Sequence, residues 1–496
     1  MNLLEAIHEI GVQLDEDAFV VGGFVRNSLL GLPNKDIDIV TTSNSLDCAE
    51  IFHRKLGGTL FPVDPSRAIF RLTLQNSDEL GISQLDFSQA DKGISWDLEQ
   101  RDFTIDAMAI PFQQSPSPPS NWEVLDPTGG LDDLNQRSIR MTHPNVFRAD
   151  PIRVLRATRL ASHLKFNIEP ETYRMTQRDS FLLAKSSPER IREEFLGILS
   201  QPNLEKSLGD LNENSALETV IPELSECKGI TQPIEHYWDV YEHSLQTAVM
   251  VETILNPRYR KDDEIGKAIP WHSWLDEYFA ETACDGYNRA TLLKLAGLLH
   301  DVAKPETKSI EPNGKVRFLG HSLIGAEKSG EILSRLRFSN RGITMIQTMI
   351  EHHLRPSQIS QKDQIPTKKA IYRFFRDVGD VALDTIYLSL ADFLAARGPN
   401  LSREAWLFNS KRIDHTINEG TRIRQLETEP KLLNGHEISR IFEVQPSPEL
   451  GELILQVREA QATGAINTKQ EAVKLVADLL KGQRGTREFS TLGTQN

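Results

Sequence analysis

The sequence of 496 residues contains only three cysteines, Cys48, Cys227 and Cys284, and they are far apart. Thiols this few and scattered support neither a disulfide framework nor a zinc knuckle, and they indicate a reducing compartment. No stretch approaches the ~18–20 uninterrupted apolar residues of a membrane span. The first residues include acids where a secretory signal has a basic start and an apolar run. We therefore expect a cytoplasmic protein with no membrane partner.

Acidic residues outnumber basic residues, and the formal net charge is −14. This balance argues against non-specific coating of nucleic acid, which needs a cationic surface. One segment differs, because residues 137–192 contain twelve Lys or Arg and five Asp or Glu. This local excess predicts a confined site for a polyanion; the alternative is a solvated helix face.

The length exceeds what one hydrophobic core serves, so we expect several units in an α+β protein. Short β-rich runs occur in residues 1–140, at Ala18–Val21, Ile37–Thr41, Ile69–Leu74, Gln84–Phe87 and Thr104–Ile110. From Pro151 onward the pattern predicts helices only. The stretch QQSPSPPS (113–120) predicts a loop, and the polar tail from Gln483 predicts disorder.

The first constellation that carries chemistry is VVGGFVRNSLLGLPNKDIDIV, residues 20–40. Gly22 and Gly23 follow a predicted strand and allow the backbone to approach a phosphate at a helix N-terminus. Asp36 and Asp38 alternate with isoleucines, so they share one face of a strand, about 6.6 Å apart. Two carboxylates placed in this way can bind hard divalent cations such as Mg²⁺.

Further motifs follow in order: RDFTIDAMAI (101–110), DPTGGLDDLNQRSIR (126–140), RADPIRVLRATRLASHLKF (148–166) and SPERIREE (187–194). Together with the first constellation, this series resembles the class II branch of the nucleotidyltransferase superfamily. That branch contains CCA-adding, CC-adding and A-adding tRNA enzymes and bacterial poly(A) polymerases. The resemblance covers roughly the first 200 residues.

The resemblance implies a role for each matching residue. Asp36 and Asp38 would be the catalytic Mg²⁺ ligands, and Asp150 with Arg153 would read the base edge of CTP or ATP in place of a template. The nucleotide-binding set that we expect is Gly22, Gly23, Arg26, Arg101, Asp102, Asp150, Arg153, Arg156 and Arg159. The other substrate would be tRNA, bound through its acceptor arm and 3′ end.

The sequence departs from the family pattern at four positions. Asn27 stands for the usual Asp after Val-Arg, Gln100 for the first Arg of R-R-D, Asp106 for the usual Asn, and Ala149 for the Glu of E-D-x-x-R. The two core aspartates and the base-reading pair remain, so we expect an active enzyme. Asp86, at the end of a predicted strand, is either a third carboxylate of the site or a surface residue.

A second series of residues predicts a metal site in the helical part: His243, His300, Asp301, His321, His353 and Asp392. His and Asp ligate metals that polarise a phosphoester and generate hydroxide. The order resembles the HD phosphohydrolase superfamily, which implies a transition metal (Ni, Mn or Co) and phosphatase or 2′,3′-cyclic phosphodiesterase activity on RNA ends. The sequence does not choose between His352 and His353; we place His353 in the set. The sequence pattern does not explain the structure or the role of the insert 256–289.

These interpretations divide the chain into four parts: a nucleotidyltransferase head with a small mixed sheet (1–140), a helical neck that reads the base and binds RNA (141–228), an all-helical HD domain (229–400) and a helical tail with a disordered end (401–496). The head should transfer C from CTP to tRNA. The stretch from Asp86 to Arg101 is short, which in this family is associated with CC-adding enzymes. We therefore expect CC addition, with a partner enzyme adding A. CCA addition, A addition, poly(A) synthesis, and an HD phosphohydrolase with an RNA-binding head stay open.

Overall fold

The computed structural model describes Ile10 and residues 18–74, 81–114, 119–361, 364–427 and 430–492. The chain forms two compact units, Met1–Pro222 and Glu223–Asn496. The first contains a mixed sheet with helices and the second is mainly helical, which confirms the α+β fold class. Within the ranges described, no helix combines the length and apolar character that crossing a membrane requires.

The first unit is built on a six-stranded mixed sheet. Its strands are β1 (Ala18–Val21), β2 (Asp36–Thr41), β3 (Thr59–Asp64), β4 (Ile69–Thr73), β5 (Gln84–Gln89) and β6 (Ala109–Pro111). Their spatial order is β3-β4-β5-β2-β1-β6. Only β2 and β5 are parallel; the other neighbouring strands are antiparallel.

Ten helices and a short parallel ribbon accompany this sheet within the described residues. The helices are α1 (Gly23–Leu29), α2 (Ser45–Leu56), α3 (Ile94–Glu99), α4 (Gly130–Gln136), α5 (Val146–Ala149), α6 (Arg153–Leu164), α7 (Pro170–Asp179), α8 (Pro188–Leu199), α9 (Leu204–Glu213) and α10 (Ala216–Val220). The ribbon pairs β7 (Ser138–Ile139) with β8 (Asn167–Ile168).

The alternation in β2 positions the candidate site. Ile37 and Ile39 are 1% exposed and enter the core, so the side chains of Asp36 and Asp38 point to the opposite face. On the core side, the ring of Phe52 lies 5.1 Å from that of Phe87 in an edge-on contact. This packing holds the strand face that carries both aspartates.

Two strand predictions need correction. The segment Thr104–Ile110 is not one strand, because Thr104–Asp106 forms a 3-10 turn before β6. The Thr104 hydroxyl donates to Asp133 Oδ2 at 2.7 Å, a tertiary contact that the strand pattern does not reveal. Strand β3 was not predicted, because it contains a proline and alternates poorly. Residues 115–118 of the predicted loop lie outside the described residues.

The second unit consists of helices with two antiparallel ribbons, which the sequence did not predict. The helices are α11 (Val240–Leu255), α12 (Pro257–Asp262), α13 (Trp274–Ala280), α14 (Arg289–Leu299), α15 (Lys304–Thr307), α16 (His321–Arg335), α17 (Asn340–His352), α18 (Arg355–Gln358), α19 (Lys368–Val378), α20 (Ala382–Arg397), α21 (Arg403–Glu427), α22 (Gly435–Phe442), α23 (Pro448–Ala462) and α24 (Lys469–Leu492). The ribbons pair β9 (Thr282–Cys284) with β10 (Tyr287–Asn288), and β11 (Lys308–Ile310) with β12 (Val316–Phe318).

The insert 256–289 packs against α20, a helix buried around most of its circumference. Trp271 meets the ring of Tyr387 edge-on at 5.5 Å, and Phe279 meets it at 5.0 Å. The Arg260 guanidinium lies 3.5 Å above the Trp271 ring. The insert therefore covers the central helix with an aromatic cluster.

The tail forms a small core of its own from α22, α23 and α24, centred on Ile438, Leu453 and Val476. Helix α24 ends at Leu492, and the disordered end expected from Gln483 stays a prediction. Residues 493–496 lie outside the described residues. The three cysteines are free and buried, and burial raises the pKa of each thiol to about 12.

Candidate active site and candidate metal centre

The carboxylates of the first unit meet where β2 and β5 lie side by side. The parallel register places Asp38 directly opposite Asp86, so their side chains lie on the same face as Asp36. Asp86 accepts two hydrogen bonds from Arg71, at 2.7 Å from Nε and 3.0 Å from Nη2. Asp36 is exposed, whereas Asp38 and Asp86 are half-buried. Asp86 is thus a third carboxylate on this face, already paired with an arginine.

The Gly22 turn approaches Asp38 closely. Gly22 has φ +70°, and a Cβ there would lie 3.0 Å from Arg101 Nη1 and 3.3 Å from Asp38 Oδ2. Burial raises the pKa of Asp38 to about 6; Arg101 opposes this rise, and Asp86 adds to it. Three carboxylates around a partly dehydrated position form a donor set suited to a hard divalent cation. These residues fit Mg²⁺.

Arg26 lies behind this turn rather than in solvent. Its side chain is 9% exposed and forms an ion pair with Asp106. Arg26 Nε and Nη2 also donate to Asn27 Oδ1, at 3.0 and 2.9 Å. Burial raises the pKa of Asp106, and Arg26 opposes that rise. Two departures from the family pattern, Asn27 and Asp106, therefore contact the same guanidinium.

Asp102, Arg156 and Arg159 belong to one buried network. Arg156 donates to Asp102 Oδ2 and to Glu194 Oε1, each at 2.9 Å, and Arg159 donates to Glu194 Oε2 at 2.6 Å. Burial raises the pKa of Asp102, but Arg156 holds it below its ordinary value. The network joins the segment after α3 to α6 and α8. The guanidinium groups of Arg156 and Arg159 are therefore engaged in structure, and their nucleotide-binding role stays a prediction.

Asp150 and Arg153, the predicted base-reading pair, lie just before and at the start of α6. Arg190 from α8 donates to both carboxylate oxygens of Asp150, at 3.0 and 2.6 Å. Arg153 Nε is 3.9 Å from Asp150 Oδ2 and makes no hydrogen bond in the described structure. Its Nη2 donates weakly to the Gln100 carbonyl at 3.5 Å. The sequence pattern did not reveal Arg190, whose guanidinium orients the Asp150 carboxylate. Ala149, which stands for the family's Glu, offers no second carboxylate at this position.

The basic segment 137–192 is largely neutralised by neighbouring carboxylates. Seven of its twelve cations form ion pairs at 3.2 Å or less; they are Arg140, Arg148, Arg156, Arg159, Arg174, Arg178 and Arg190. Each such pair offsets part of the positive charge that the segment presents to a polyanion. The polyanion site predicted from the charge count therefore rests on fewer groups than the sequence suggests.

In the second unit, the structure brings all six predicted metal-site residues into one buried cluster. His243 Nε2 lies 3.2 Å from His300 Nε2, 3.3 Å from Asp301 Oδ2 and 3.1 Å from Asp392 Oδ1. His321 Nε2 lies 3.5 Å from Asp301 Oδ1. His353 belongs to two candidate ligand groups, one with His300 and Asp392 and the other with Asp301 and His321. Two overlapping groups around Asp301 fit a dinuclear site.

Backbone carbonyls orient three of the histidines. The Nδ1 atoms of His300, His321 and His353 bond to the carbonyl oxygens of Gly297, Phe318 and Ile350, at 2.8, 2.6 and 2.6 Å. Each bond favours the tautomer that leaves Nε2 free to ligate a metal. His353 is 1% exposed and belongs to the cluster, whereas His352 lies 4.0 Å from Glu351 outside it. The structure thus distinguishes the two neighbouring histidines.

Electrostatics of the cluster suit metal ligation. Burial raises the pKa of Asp301, but His300 and Lys304 hold it well below its usual range. Lys304 Nζ lies 2.6 Å from Asp301 Oδ2. Burial lowers the pKa of His353 to about 3, which leaves a neutral imidazole. An ionised carboxylate together with imidazole nitrogens is a donor set that suits a divalent transition metal.

His236, which the sequence pattern did not reveal, joins His243 and Asp392 in a further candidate group. Its ring lies 5.3 Å from that of His243. The signal was weak, because His236 precedes α11 and lies outside the H…HD…D order. Burial lowers its pKa to about 4. A cleft of about 590 Å³ opens beside the cluster, so a substrate can reach it.

Models of three known families match successive parts of the chain. Residues 18–140 match the poly A polymerase head domain, residues 165–228 the probable RNA- and SrmB-binding site of polymerase A, and residues 240–397 the HD domain. The carboxylate face and the His/Asp cluster each lie within one of these matches. The fold and the two sites thus define a nucleotidyltransferase with an HD domain.

Whole-chain relatives are more specific. An A-adding tRNA nucleotidyltransferase of Deinococcus radiodurans is 30% identical over 92% of this chain and 94% of its own length. A CC-adding tRNA nucleotidyltransferase of Thermus thermophilus is 30% identical over 97% and 96%. A Thermotoga maritima CCA-adding enzyme complexed with tRNA has the same fold, with 22% identity, a TM-score of 0.60 and coverage of 96% and 95%. The chain belongs to the family of CCA-, CC- and A-adding tRNA nucleotidyltransferases.

Exchanging Asn27 and Asp106 tests whether they act as one unit on Arg26. Asp106→Asn should lower the free energy of unfolding by about 3 kcal/mol, because the buried Arg26 guanidinium loses its carboxylate partner. Asn27→Asp alone adds a second carboxylate and should also destabilise. The double variant again has one carboxylate and one amide, so it should recover most of the loss. Urea denaturation of the four proteins measures the coupling. If the two losses of unfolding free energy simply add in the double variant, Asn27 and Asp106 do not act as one unit on Arg26.

Proposed function

We propose that this enzyme transfers C residues from CTP to the 3′ end of tRNA without a template, and that it adds two and stops. The observation that carries the specificity is the segment between Asp86 and Arg101. It has no room for a long flexible segment, which CCA-completing members are expected to have at this position. The Deinococcus and Thermus relatives are equally identical to this chain but add different nucleotides, so identity alone does not choose between them.

The segment is short and anchored in the core. The Ala90 amide donates to the Thr41 carbonyl at 2.9 Å, and the Gly93 amide to the Ala90 carbonyl at 3.0 Å. Helix α3 follows at once, and Leu98 packs with Ala90 in a buried cluster. A segment held in this way does not act as a lever that changes the pocket from C to A. This supports CC addition over CCA addition.

The residues suit phosphoryl transfer by positioning and electrostatics. The tRNA 3′ hydroxyl attacks the α-phosphate of the nucleotide, the bond to the β-phosphate breaks, and pyrophosphate leaves. Asp36 and Asp38 would hold Mg²⁺, which supplies charge neutralisation at the attacking hydroxyl and the leaving group. Arg101, beside Asp38, would contact the triphosphate. At the base edge, the Asp150 carboxylate would accept from the exocyclic amine of cytosine while Arg153 donates to its ring atoms.

The partners follow from this reaction. tRNA would bind through its acceptor arm, partly by cations of segment 137–192, and CTP would occupy the pocket. A separate A-adding enzyme would complete the end in the same cytoplasmic compartment. We assign residues 1–140 to transfer, 141–228 to base reading and RNA binding, 229–400 to the HD activity and 401–496 to a helical tail.

A second activity is favoured by the His/Asp cluster and its cleft. We infer a metal-dependent phosphohydrolase, acting as a phosphatase or a 2′,3′-cyclic phosphodiesterase on RNA ends. The cluster would hold one or two divalent transition metals such as Ni, Mn or Co, which supply Lewis-acid polarisation of the phosphoester. Asp301 belongs to two of the candidate ligand groups, one with His243 and His300 and one with His321 and His353. Its loss should therefore disrupt both of these groups.

Removing either aspartate of β2 tests the transferase site. Asp36→Ala and Asp38→Ala should each lower kcat for CTP incorporation by at least about 100-fold, because the metal ligand is lost during charge development. tRNA binding, measured by filter retention, should be unchanged. Asp47→Ala, an exposed residue of α2, is the matched control and should keep full activity. Near-normal turnover of either β2 variant in Mg²⁺ would show that the active site lies elsewhere.

The nucleotide specificity is tested with tRNA that lacks the CCA end. Supplied with CTP and ATP together, the enzyme should yield products that end in CC, because the anchored segment keeps one setting of the pocket. Sequencing the product 3′ ends measures this. Products ending in CCA would refute CC specificity. Addition of A to tRNA already ending in CC, without addition of C, would reverse the assignment.

The two activities should be separable. His300→Ala combined with Asp301→Ala should abolish phosphate release from RNA ends and leave CTP incorporation unchanged, because these residues lie in the other compact unit from the β2 aspartates. His352→Ala is the control, because this histidine lies outside the cluster. Loss of both activities in the double variant would instead assign the HD domain a structural role for the head.

A further inference from the structure

Two arginines face the cleft beside the His/Asp cluster. Arg397 is the last residue of α20, and Arg412 lies on α21. Both line the cleft of about 590 Å³ together with Asp301, His353 and Asp392. Both are half-buried. One cavity therefore holds the candidate metal ligands and two guanidinium groups.

Neutral groups hold Arg412 in place. Its Nη1 donates to the Ser357 carbonyl at 3.1 Å, and its Nη2 donates to Asn409 Oδ1 at 2.7 Å. Its Nε is buried and has no hydrogen-bond partner in the described structure. Burial lowers the pKa of Arg412. The guanidinium is thus fixed and retains a donor without a partner.

Arg397 is held in a similar way. Its Nη1 donates to the Phe393 carbonyl at 3.0 Å, and its guanidinium stacks 3.5 Å above the Phe393 ring. Burial lowers its pKa, and Asp392 opposes that effect. Phe393 also lines the cleft. Stacking fixes the plane of the guanidinium without neutralising its charge.

Several other buried or half-buried cations in this unit are paired with acids, although Arg424 likewise contacts neutral groups, the Gly379 carbonyl and the Phe375 ring. Arg289 contacts Asp384 at 3.0 Å and Asp380 at 2.9 Å, and Lys294 contacts Glu252 at 2.8 Å. Among the described residues, neither Arg397 nor Arg412 forms an ion pair with a carboxylate. Removing a cation from water without a counter-charge is costly. The cost is offset if an anion binds in the cleft.

We propose that Arg397 and Arg412 form a subsite for a second phosphate of the molecule hydrolysed at the His/Asp cluster. This inference rests on the proposed phosphohydrolase activity and names its substrate class, organic phosphates with a further phosphate beyond the scissile one. A nucleoside 3′,5′-bisphosphate and an RNA with a 3′-terminal phosphate share this chemistry. Water attacks the scissile phosphorus, the bond to the sugar oxygen breaks, and the sugar hydroxyl leaves with a proton from that water.

Binding tests the subsite apart from catalysis. Titration calorimetry in EDTA compares adenosine 3′,5′-bisphosphate with AMP on the full chain. Wild type should bind the bisphosphate more tightly, and Arg397→Gln and Arg412→Gln should each weaken it about tenfold, as expected for one lost charge-assisted contact. AMP binding should change little. Arg403→Gln, on α21 but outside the cleft, is the matched control. Arg412→Lys keeps the charge and should show an intermediate loss.

Hydrolysis then separates this inference from the proposed activity. With metal restored, the glutamine variants should raise KM for the bisphosphate and for a short RNA with a 3′-phosphate, and should leave kcat unchanged. The larger KM effect on one of these two probes identifies the source of the second phosphate. If no substrate is cleaved but bisphosphate binding depends on both arginines, the hydrolase fails and the subsite stands. If wild type binds AMP and the bisphosphate equally, the subsite is refuted.

Discussion

The parallel pairing of β2 with β5 is the constraint on which the first unit's site depends. It places Asp38 opposite Asp86, while the antiparallel pairing with β1 brings the Gly22 turn to the same level. Like charges at this spacing repel, and burial raises the pKa of Asp38 to about 6. The surrounding chain therefore supplies one cation for each neighbouring carboxylate: Arg71 for Asp86, Arg26 for Asp106 and Arg156 for Asp102. The Asp36–Asp38 face retains the net negative charge that a divalent cation needs.

Much of the fold could be predicted because short-range patterns specify it. The alternation in KDIDIV predicted the face on which the aspartates lie, since the side-chain period of a strand is two residues. The helices that carry His243 and Asp392 lie in the part of the chain, from Pro151 onward, for which the sequence predicted helices. Strand β3 could not be predicted, because it lies at the sheet edge with little burial and owes its existence to pairing with β4. The structure of the insert 256–289 could not be predicted either, because its aromatic residues contact α20, which is far away in the sequence.

The site was predictable in its residue types and less so in their contacts. The six HD residues come together as their order indicated, but only the fold separates His353 from His352, since a turn of about 100° per helical residue sends neighbours to different faces. The contacts of Arg190 and Glu194 were not foreseen, because their partners are distant in the sequence. Asp150 lies 40 residues before Arg190, and Arg159 lies 35 residues before Glu194. Such pairings depend on how α6 packs against α8, which no local pattern encodes.

The two units treat buried charge differently, and the difference bears on function. In the first unit Arg156 and Arg159 of α6 are matched by carboxylates, so a nucleotide would enter a framework already oriented. In the second, Asp301 is matched by Lys304 and the histidines, whereas the hydrogen-bond partners of Arg397 and Arg412 in the described part of the chain are neutral. Stability alone would favour an acid beside each of them. Two half-buried arginines maintained without one, in the cavity that holds the metal ligands, are better explained by an anion that arrives with the substrate.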